Sequence, residues 1–580
     1  MEKRLILAML LIFITMMVWY SVMTPPKSKF TDRMATDPDS TRSDSKNLQS
    51  NLQSRGREVK RNSSEDSLLF YADADMSDLG DTTAAIFQDF DFRSPGESIS
   101  VKTDFYQAQI QTLGASLESW VLREFRGYVD GERVLELPLI SSPDPRKNEC
   151  NLSFRMNVDE RDIDFSQVVF TPDKKKIDLT QGAESDTLTL TAERGLQRIT
   201  VKYLFSNGQY SFGLDIDAQN IDLIDKKIEF QWDSGLNLTE KETKIDVQNL
   251  AALVDNAGDI EDFDQKDATK AGGELTIEGA YRWLALKTTY FAFIVSPLNT
   301  NLEQAVFISS EETPNRISAR WRLPAETLGH NREDFEIYLG PQSYDVLQKY
   351  HRNWEHVVDF GWKWIEPLSR MMLLVFTLLH DFIPNYGLVI IAFSILIKLI
   401  FYPLMQKQLK SMKAMQELQP EMEKLKAKHK DNPQKLNQDV IKLYQKHKVN
   451  PVGGCLPLVV QMPIFLALFN VLRTTIHLRD TRFLWISDLS QSPEFSLLGC
   501  LLPLVMGASM FATQKMSSTS AATQQQKMML YLMPVIFTVF SFQWSSGLIL
   551  YWFVSNIATI LQQMMINRYR KEEKKDPVVS

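Results

Sequence analysis

At 580 residues the chain exceeds what one hydrophobic core usually organises, so at least two folding units are expected. Its mean hydropathy of -0.20 is slightly polar, yet the last third holds several long apolar runs, so a soluble part and a membrane part have been averaged together. The net charge of -8 belongs mostly to the first two thirds. The three cysteines, Cys150, Cys455 and Cys500, and seven scattered histidines form no disulfide framework, zinc spacing or HExxH pair, and neither a phosphate-cradling loop nor a GxSxG elbow occurs. The chain therefore reads as a non-enzyme without a cofactor.

The run from Leu5 to Met23 approaches the roughly 20 residues that cross a bilayer as helix. A cleaved signal peptide is the competing reading. The run is long for one, and it passes through Trp19 and Tyr20 to Pro25 and Pro26 without a small-residue cleavage site, so residues 1–24 are read as an anchor. Lys3 and Arg4 place its start in the cytoplasm. Residues 25–66 are rich in Ser, Asp, Lys, Gln and Arg and read as a flexible linker. From 67 to 350, short alternating stretches recur: Ser98 to Thr103, Gln107 to Thr112, Thr187 to Ala192, Arg198 to Phe205 and Tyr210 to Ile216. They predict a large antiparallel β-sandwich outside the cytoplasm.

Residues 351–385 contain Trp362, Trp364 and an apolar face interrupted by Lys363, Glu366 and Arg370, which predicts an amphipathic helix in the membrane interface. A tilted start to the next span is the alternative. Five spans are expected in residues 386–566: Tyr386 to Met405, Gly453 to Leu472, Phe495 to Thr513, Met528 to Trp544 and Leu548 to Ile566. With the anchor they make six crossings, returning the basic tail 567–580 to the cytoplasm. The loop 406–450 carries eleven lysines, and the positive-inside rule puts it there too. Its apolar residues Met412, Met415, Leu418, Met422 and Leu425, then Leu436, Val440 and Leu443, predict a helical hairpin broken at His429 to Pro433. A basic hairpin suits anionic lipid or ribosomal RNA, or is simply a solvated pair of helices.

Lys398 lies inside the second span, where a central lysine costs roughly 2.5–3.5 kcal/mol and normally faces a bundle interior, a hydrated cavity or a partner. Ser394 one turn earlier and Tyr402 one turn later extend a polar stripe; other spans add Gln461, Asn556, Gln562 and Gln563. No Asp or Glu in the spans can pair with Lys398, which points to water. The bland alternative is snorkelling, since Met405 is seven residues away, about 10 Å along a helix. Abundant methionines, Met506, Met510, Met516, Met528, Met529, Met533, Met564 and Met565, suit either packing or a surface that accepts varied apolar partners.

Several stretches resemble the YidC insertase family of bacterial inner membranes, related to the mitochondrial Oxa and chloroplast Alb translocases. They are YPLMQKQLKSMKAMQELQP at Tyr402 to Pro420, KVNPVGGCLPLVVQMPIFLALFNVL at Lys448 to Leu472, QKMSS at Gln514 to Ser518, MPVIFTVF at Met533 to Phe540, and SGLILYWFVSN at Ser546 to Asn556. The resemblance implies a hydrophilic groove in the membrane, with Lys398 at the family's basic position, Ser394 and Gln461 lining it, and Tyr551 and Trp552 in substrate contact. The family's usual residue at 398 is arginine; lysine keeps a point charge but not the bidentate fork. Implied partners are nascent membrane proteins, the ribosome, the Sec translocon, the signal-recognition receptor and the lipid bilayer. Two other classes remain open: a small-solute transporter or channel, and a receptor whose β domain binds a glycan or peptide.

Overall fold

A computed structural model describes residues 96–129, 131–140, 150–158, 161–221, 223–309, 315–324, 332–406, 414, 417–429, 433–447, 456–517 and 524–573. The expected anchor 1–24, linker 25–66 and the end of the basic tail lie outside the described residues. The chain divides into two compact units, the first ending at Val357 and the second beginning at Val358.

The first unit is β-rich. Its small sheet has five strands in the order Lys176–Asp178, Ser98–Lys102, Tyr106–Gln111, Ser116–Leu122 and Leu137–Ile140; the larger sheet has fourteen. Alternation of side chains drives the pairing. Gln197–Ser206 turns Ile199, Val201, Tyr203 and Phe205 inward and is matched on one side by Ser185–Arg194, with Val201 opposite Leu190, and on the other by Ser211–Gln219, with Val201 opposite Ile216. Of the strand pairs described, only Ser98–Lys102 with Lys176–Asp178 is parallel. Phe291–Pro297 is buried along its whole length, as a strand covered on both faces must be.

Aromatic rings fill the space between the sheets. Trp120 of the small sheet stacks on Tyr106 at 3.7 Å and lies 5.4 Å from Phe212 of the large one, while the Tyr203 hydroxyl donates to Ala115 O at 2.5 Å. Trp232 stacks on Phe293 at 3.9 Å and donates through Nε1 to Gly235 O. The expected sandwich strands therefore appear within three residues of their sequence bounds. The boundary at 350 needs correction, because Trp354 is fully buried against Tyr338 and Tyr350, and both Lys287 Nζ and Gln342 Nε2 donate to Val357 O. Residues 351–357 thus complete the β unit.

The second unit is helical. Helix α1, Glu366–Phe382, buries Ser369, Met372, Leu373 and Phe376 and exposes Met371, Leu374, Leu378 and Phe382. It is shorter than the expected 351–385 segment, and its Arg370 is neutralised by Glu366 at 2.6 Å. Helix α2, Tyr386–Ile400, is capped by Asn385, whose side chain accepts from the N–H groups of Gly387 and Leu388. It stops at Phe401 and resumes over 402–406 because Pro403 has no N–H for the Leu399 carbonyl.

Helices α3, Gln419–Lys428, and α4, Pro433–Lys446, pack on each other through Tyr444 and Met422, with His429 3.0 Å from Asp439. Met412 and Met415 lie outside the described residues. The remaining helices are α5, Leu456–Thr474; α6, Leu501–Ser517; α7, Gln524–Ser541; and α8, Ser546–Glu573. The expected span Phe495 to Thr513 is corrected at its start. Residues 495–500 form a turn closed by Cys500 N–H to Ser496 O, and a Cβ at Gly499 would collide with the Glu494 carbonyl. Among the described helices only Ser546–Met565 is both long and apolar enough to cross a bilayer by itself; Tyr386–Ile400 and Leu530–Ser541 are shorter apolar helices.

Candidate functional site

Helices α2, α6 and α5 all pack against α8, and a line of polar side chains runs where they meet. Its charged member is Lys398 in the last turn of α2, where the carbonyl end of the helix favours a cation. The half-buried ammonium donates from Nζ to Thr559 Oγ1 on α8 at 3.0 Å. The Thr559 hydroxyl in turn donates to Ser555 O at 2.8 Å, which leaves its lone pairs to accept from the lysine.

The line continues along α8. Tyr551, Ser555 and Thr559 are four residues apart and so share one helix face, spanning about 12 Å. Tyr551 is 3 % exposed, and its hydroxyl accepts from Gln461 Nε2 of α5 at 3.3 Å. A second link joins α8 to α6, where Asn556 Nδ2 donates to Ser509 Oγ at 3.0 Å and Ser509 donates to Met506 O. No carboxylate occurs in α2 or in α5 to α8 before Glu572.

Three of the five expected site residues, Lys398, Gln461 and Tyr551, therefore lie on one polar line. The other two do not join it. Ser394 is fully buried and returns its hydroxyl to Ile390 O at 2.7 Å, within its own helix. Trp552, one residue round the helix from Tyr551, stands in an aromatic cluster: parallel to Trp544 at 5.5 Å and edge-on to Phe465 at 5.0 Å and Phe537 at 5.1 Å. Tyr402 lies beyond the break in α2 and is 38 % exposed, so the stripe expected from 394 to 402 does not continue.

Sequence reasoning missed Thr559, Ser555 and Ser509. It also assigned water to Lys398, where the structure supplies a threonine 161 residues away. The i, i+4, i+8 spacing of Tyr551, Ser555 and Thr559 is the signal that could have found two of them. Chemically the line offers one ammonium, an amide and hydroxyls. That set can hold carboxylates and unpaired peptide groups, and it has no nucleophile paired with a base.

Two family profiles match the chain: the 60Kd inner membrane protein over residues 378–574 and the YidC periplasmic domain over residues 98–373. The membrane protein insertase YidC of Prosthecochloris aestuarii is 31% identical over 525 residues, covering 85% of this chain and 88% of its own length. That of Chlorobium luteolum is 30% identical over 592 residues, covering 98% and 95%. Among solved structures, an active YidC insertase with its first transmembrane domain resolved aligns over 82% of this chain and 93% of its own, at 19% identity and a TM-score of 0.36. A galactose mutarotase-like protein of Lactobacillus casei aligns over 42% of this chain at 12% identity and a TM-score of 0.28.

These sequence matches define the class: an inner-membrane protein with a β-rich periplasmic domain and a C-terminal helical region. The relatives are insertases, which sets the small-solute transporter reading aside. The chain belongs to the YidC family of membrane protein insertases.

Proposed function

We propose that this chain inserts integral membrane proteins into the inner membrane by offering their polar segments the line from Gln461 through Tyr551 to Thr559 and Lys398. The single observation that carries this reading is Lys398. A cation is held inside an apolar bundle by a neutral threonine, with no carboxylate in the surrounding helices before Glu572 to cancel it. Its charge is therefore available to an acidic or carbonyl group of an entering chain.

The insertase core in this reading has five crossings, built on α2, α5, α6, α7 and α8, with α3 and α4 as a cytoplasmic hairpin and α1 in the outer interface. The anchor 1–24 adds a sixth crossing, so both termini are cytoplasmic and the β unit is periplasmic. Helix α2 supports the idea of a locally thin barrier: its 15 residues span only about 22 Å, against a hydrocarbon core of about 30 Å. A substrate's short polar tail enters the groove at Lys398, Gln461, Tyr551 and Ser394, while its apolar helix passes Trp552 and partitions sideways into lipid. Burial of that helix drives the step, and the membrane potential helps draw acidic tails outward; no nucleotide takes part.

The partners of this reading are nascent membrane proteins, the ribosome at the basic hairpin and tail, the Sec translocon and the signal-recognition receptor. The test is insertion of a single-span protein with an acidic tail into vesicles that contain this chain as their insertase. Lys398→Glu should lose most of the insertion and Lys398→Arg should keep it; equal insertion by all three forms would refute the role of the charge.

A further inference from the structure

Two turns at one end of the helical unit are built from residues that suit lipid better than water. The first is a tight hairpin turn in which Phe483 N–H donates to Ile486 O at 3.0 Å and Ile486 N–H donates to Phe483 O at 2.9 Å. Phe483 and Ile486 are buried, and the Phe483 ring lies over Gly387 in the first turn of α2, where any Cβ would collide with it. The two residues at the tip are Leu484, 75 % exposed, and Trp485, 40 % exposed. Leu484 has φ +52°, a conformation that glycine or asparagine normally supplies in a hairpin turn. Leucine and tryptophan at the tip are side chains that a turn in water seldom exposes together.

The second turn precedes α6. Phe495 and Leu497 are 87 % and 93 % exposed, and Leu498 is exposed too. Four of its backbone donors are satisfied locally: Ser496 N–H by Glu494 O, Gly499 N–H by Ser496 Oγ, Cys500 N–H by Ser496 O and Leu501 N–H by Leu498 O. These bonds lower the cost of seating the turn at the membrane interface, where water still reaches the remaining peptide groups. Phe495 stacks at 4.9 Å on Phe542, just past the end of α7, and the start of α8 is tied to the same region by Gly547 N–H to Leu489 O. Both turns thus sit at the end where α2 and α8 begin and α7 finishes.

We propose that the Leu484–Trp485 tip and the Phe495–Leu498 turn dock on lipid, seating in the outer-leaflet interface and fixing the depth of the helical unit in the bilayer. The surface continues onto the face that α6 turns to lipid in the proposed crossing, because Leu497 and Leu498 lead into exposed Leu501 and Leu504 of α6, and no charged residue occurs between Glu494 and Lys515. Exposed Arg482, directly before the first turn, complements the phosphate layer from behind an apolar tip. In the proposed crossing the outer side follows from chain order, since the match to a periplasmic domain ends inside α1, the helix that precedes α2. The proposal rests on the reading that these helices cross the bilayer.

The test places a fluorescent amino acid at Leu484 or Leu497 of the full-length chain in vesicles containing nitroxide lipids. Leu561, exposed on α8, serves as the membrane control, and Leu196, exposed on the β unit, as the aqueous one. Probes at 484 and 497 should lose roughly half their emission to a nitroxide near the headgroups and less to one at the chain ends. The Leu561 probe should be quenched by the deep nitroxide and the Leu196 probe by neither. Quenching at 561 without quenching at 484 and 497 would overturn the proposal while leaving the crossing intact. Shielding of those two sites from aqueous iodide without lipid quenching would overturn it in favour of a protein partner. No quenching at 561 would remove the crossing reading and this proposal with it.

Discussion

In the β unit, the strand Gln197–Ser206 faces isoleucine, valine, tyrosine and phenylalanine inward, leaving Lys202 and Thr200 outside. In the helical unit, α7 exposes Val535 and Val539 and α2 exposes Leu399 and Ile400, while Lys398, Gln461 and Tyr551 gather between helices. Among the described residues, four large exposed apolar side chains belong to the β unit, Leu135, Leu196, Leu204 and Leu298, and the rest to the helical one. The difference teaches that each unit is folded for a different solvent. The β unit excludes water from an aromatic core, whereas the helical unit presents its apolar surface outward and gathers hydrogen-bonding groups between its helices.

The largest expected effect bears on the helical side of this contrast. Lys398→Glu reverses the one charge in the polar line and should reduce insertion at least tenfold, roughly the consequence of losing a charge-assisted hydrogen bond and adding repulsion toward acidic tails. Insertion assays on vesicles measure it directly. Trp232→Ala should destabilise the β unit by about 3–5 kcal/mol, because a fully buried ring and its stacking on Phe293 are lost together. If the two units work independently, thermal unfolding of the β unit shifts while insertion persists. Deletion of the β unit should likewise leave most insertion in place, and complete loss would favour the receptor reading of that domain.

A smaller effect is expected at Thr559. Thr559→Val removes the acceptor of Lys398 without changing its size and should lower insertion by up to about tenfold, with Thr559→Ser restoring it. The least effect concerns acid. Lys174 holds the Asp186 carboxyl below the usual carboxylate range, so its stabilising contribution is complete above the ordinary carboxylate pKa and is lost as pH falls through the lower folded value. Both side chains are substantially exposed, which keeps the contribution small. Melting of the β unit between pH 5 and pH 2 should be slightly less pH-dependent in Asp186→Asn than in the natural chain.

How legible the molecule was in sequence differs by unit for a physical reason. Period-two alternation placed the strands Ser185–Arg194 and Gln197–Ser206 to within two residues, because one face of each strand packs against the core and the pattern is local. Hydropathy located α2 and α5 to α8, yet it extended the third core span back to Phe495, since an apolar turn and an apolar helix have the same hydropathy. Pro403 was visible as a residue, but only the structure ties it to the end of α2 at Ile400. Lys398 stood out because a charge in an apolar run is costly. Thr559 did not, for a threonine costs little in a membrane helix and its role comes from a lysine 161 residues distant. Residues 351–357 were grouped with the interfacial segment, whose signal lies at Trp362 and Trp364; Trp354 joins the β core through contacts with Tyr338 and Tyr350 that are not local in sequence pattern.

The most direct test of a substrate-accepting polar line is site-specific photocrosslinking from Gln461, Tyr551 and Ser394 to a stalled single-span nascent chain in membrane vesicles, with Lys398→Glu and Lys398→Arg alongside. Crosslinks from Gln461 and Tyr551 that fade in the Glu form and survive in the Arg form are the predicted result. Ser394, buried and bonded within its own helix, should crosslink more weakly. An absence of crosslinks from all three sites, or crosslinks indifferent to residue 398, would contradict the account and leave Lys398 as a lysine that serves only to bond Thr559 among the described residues.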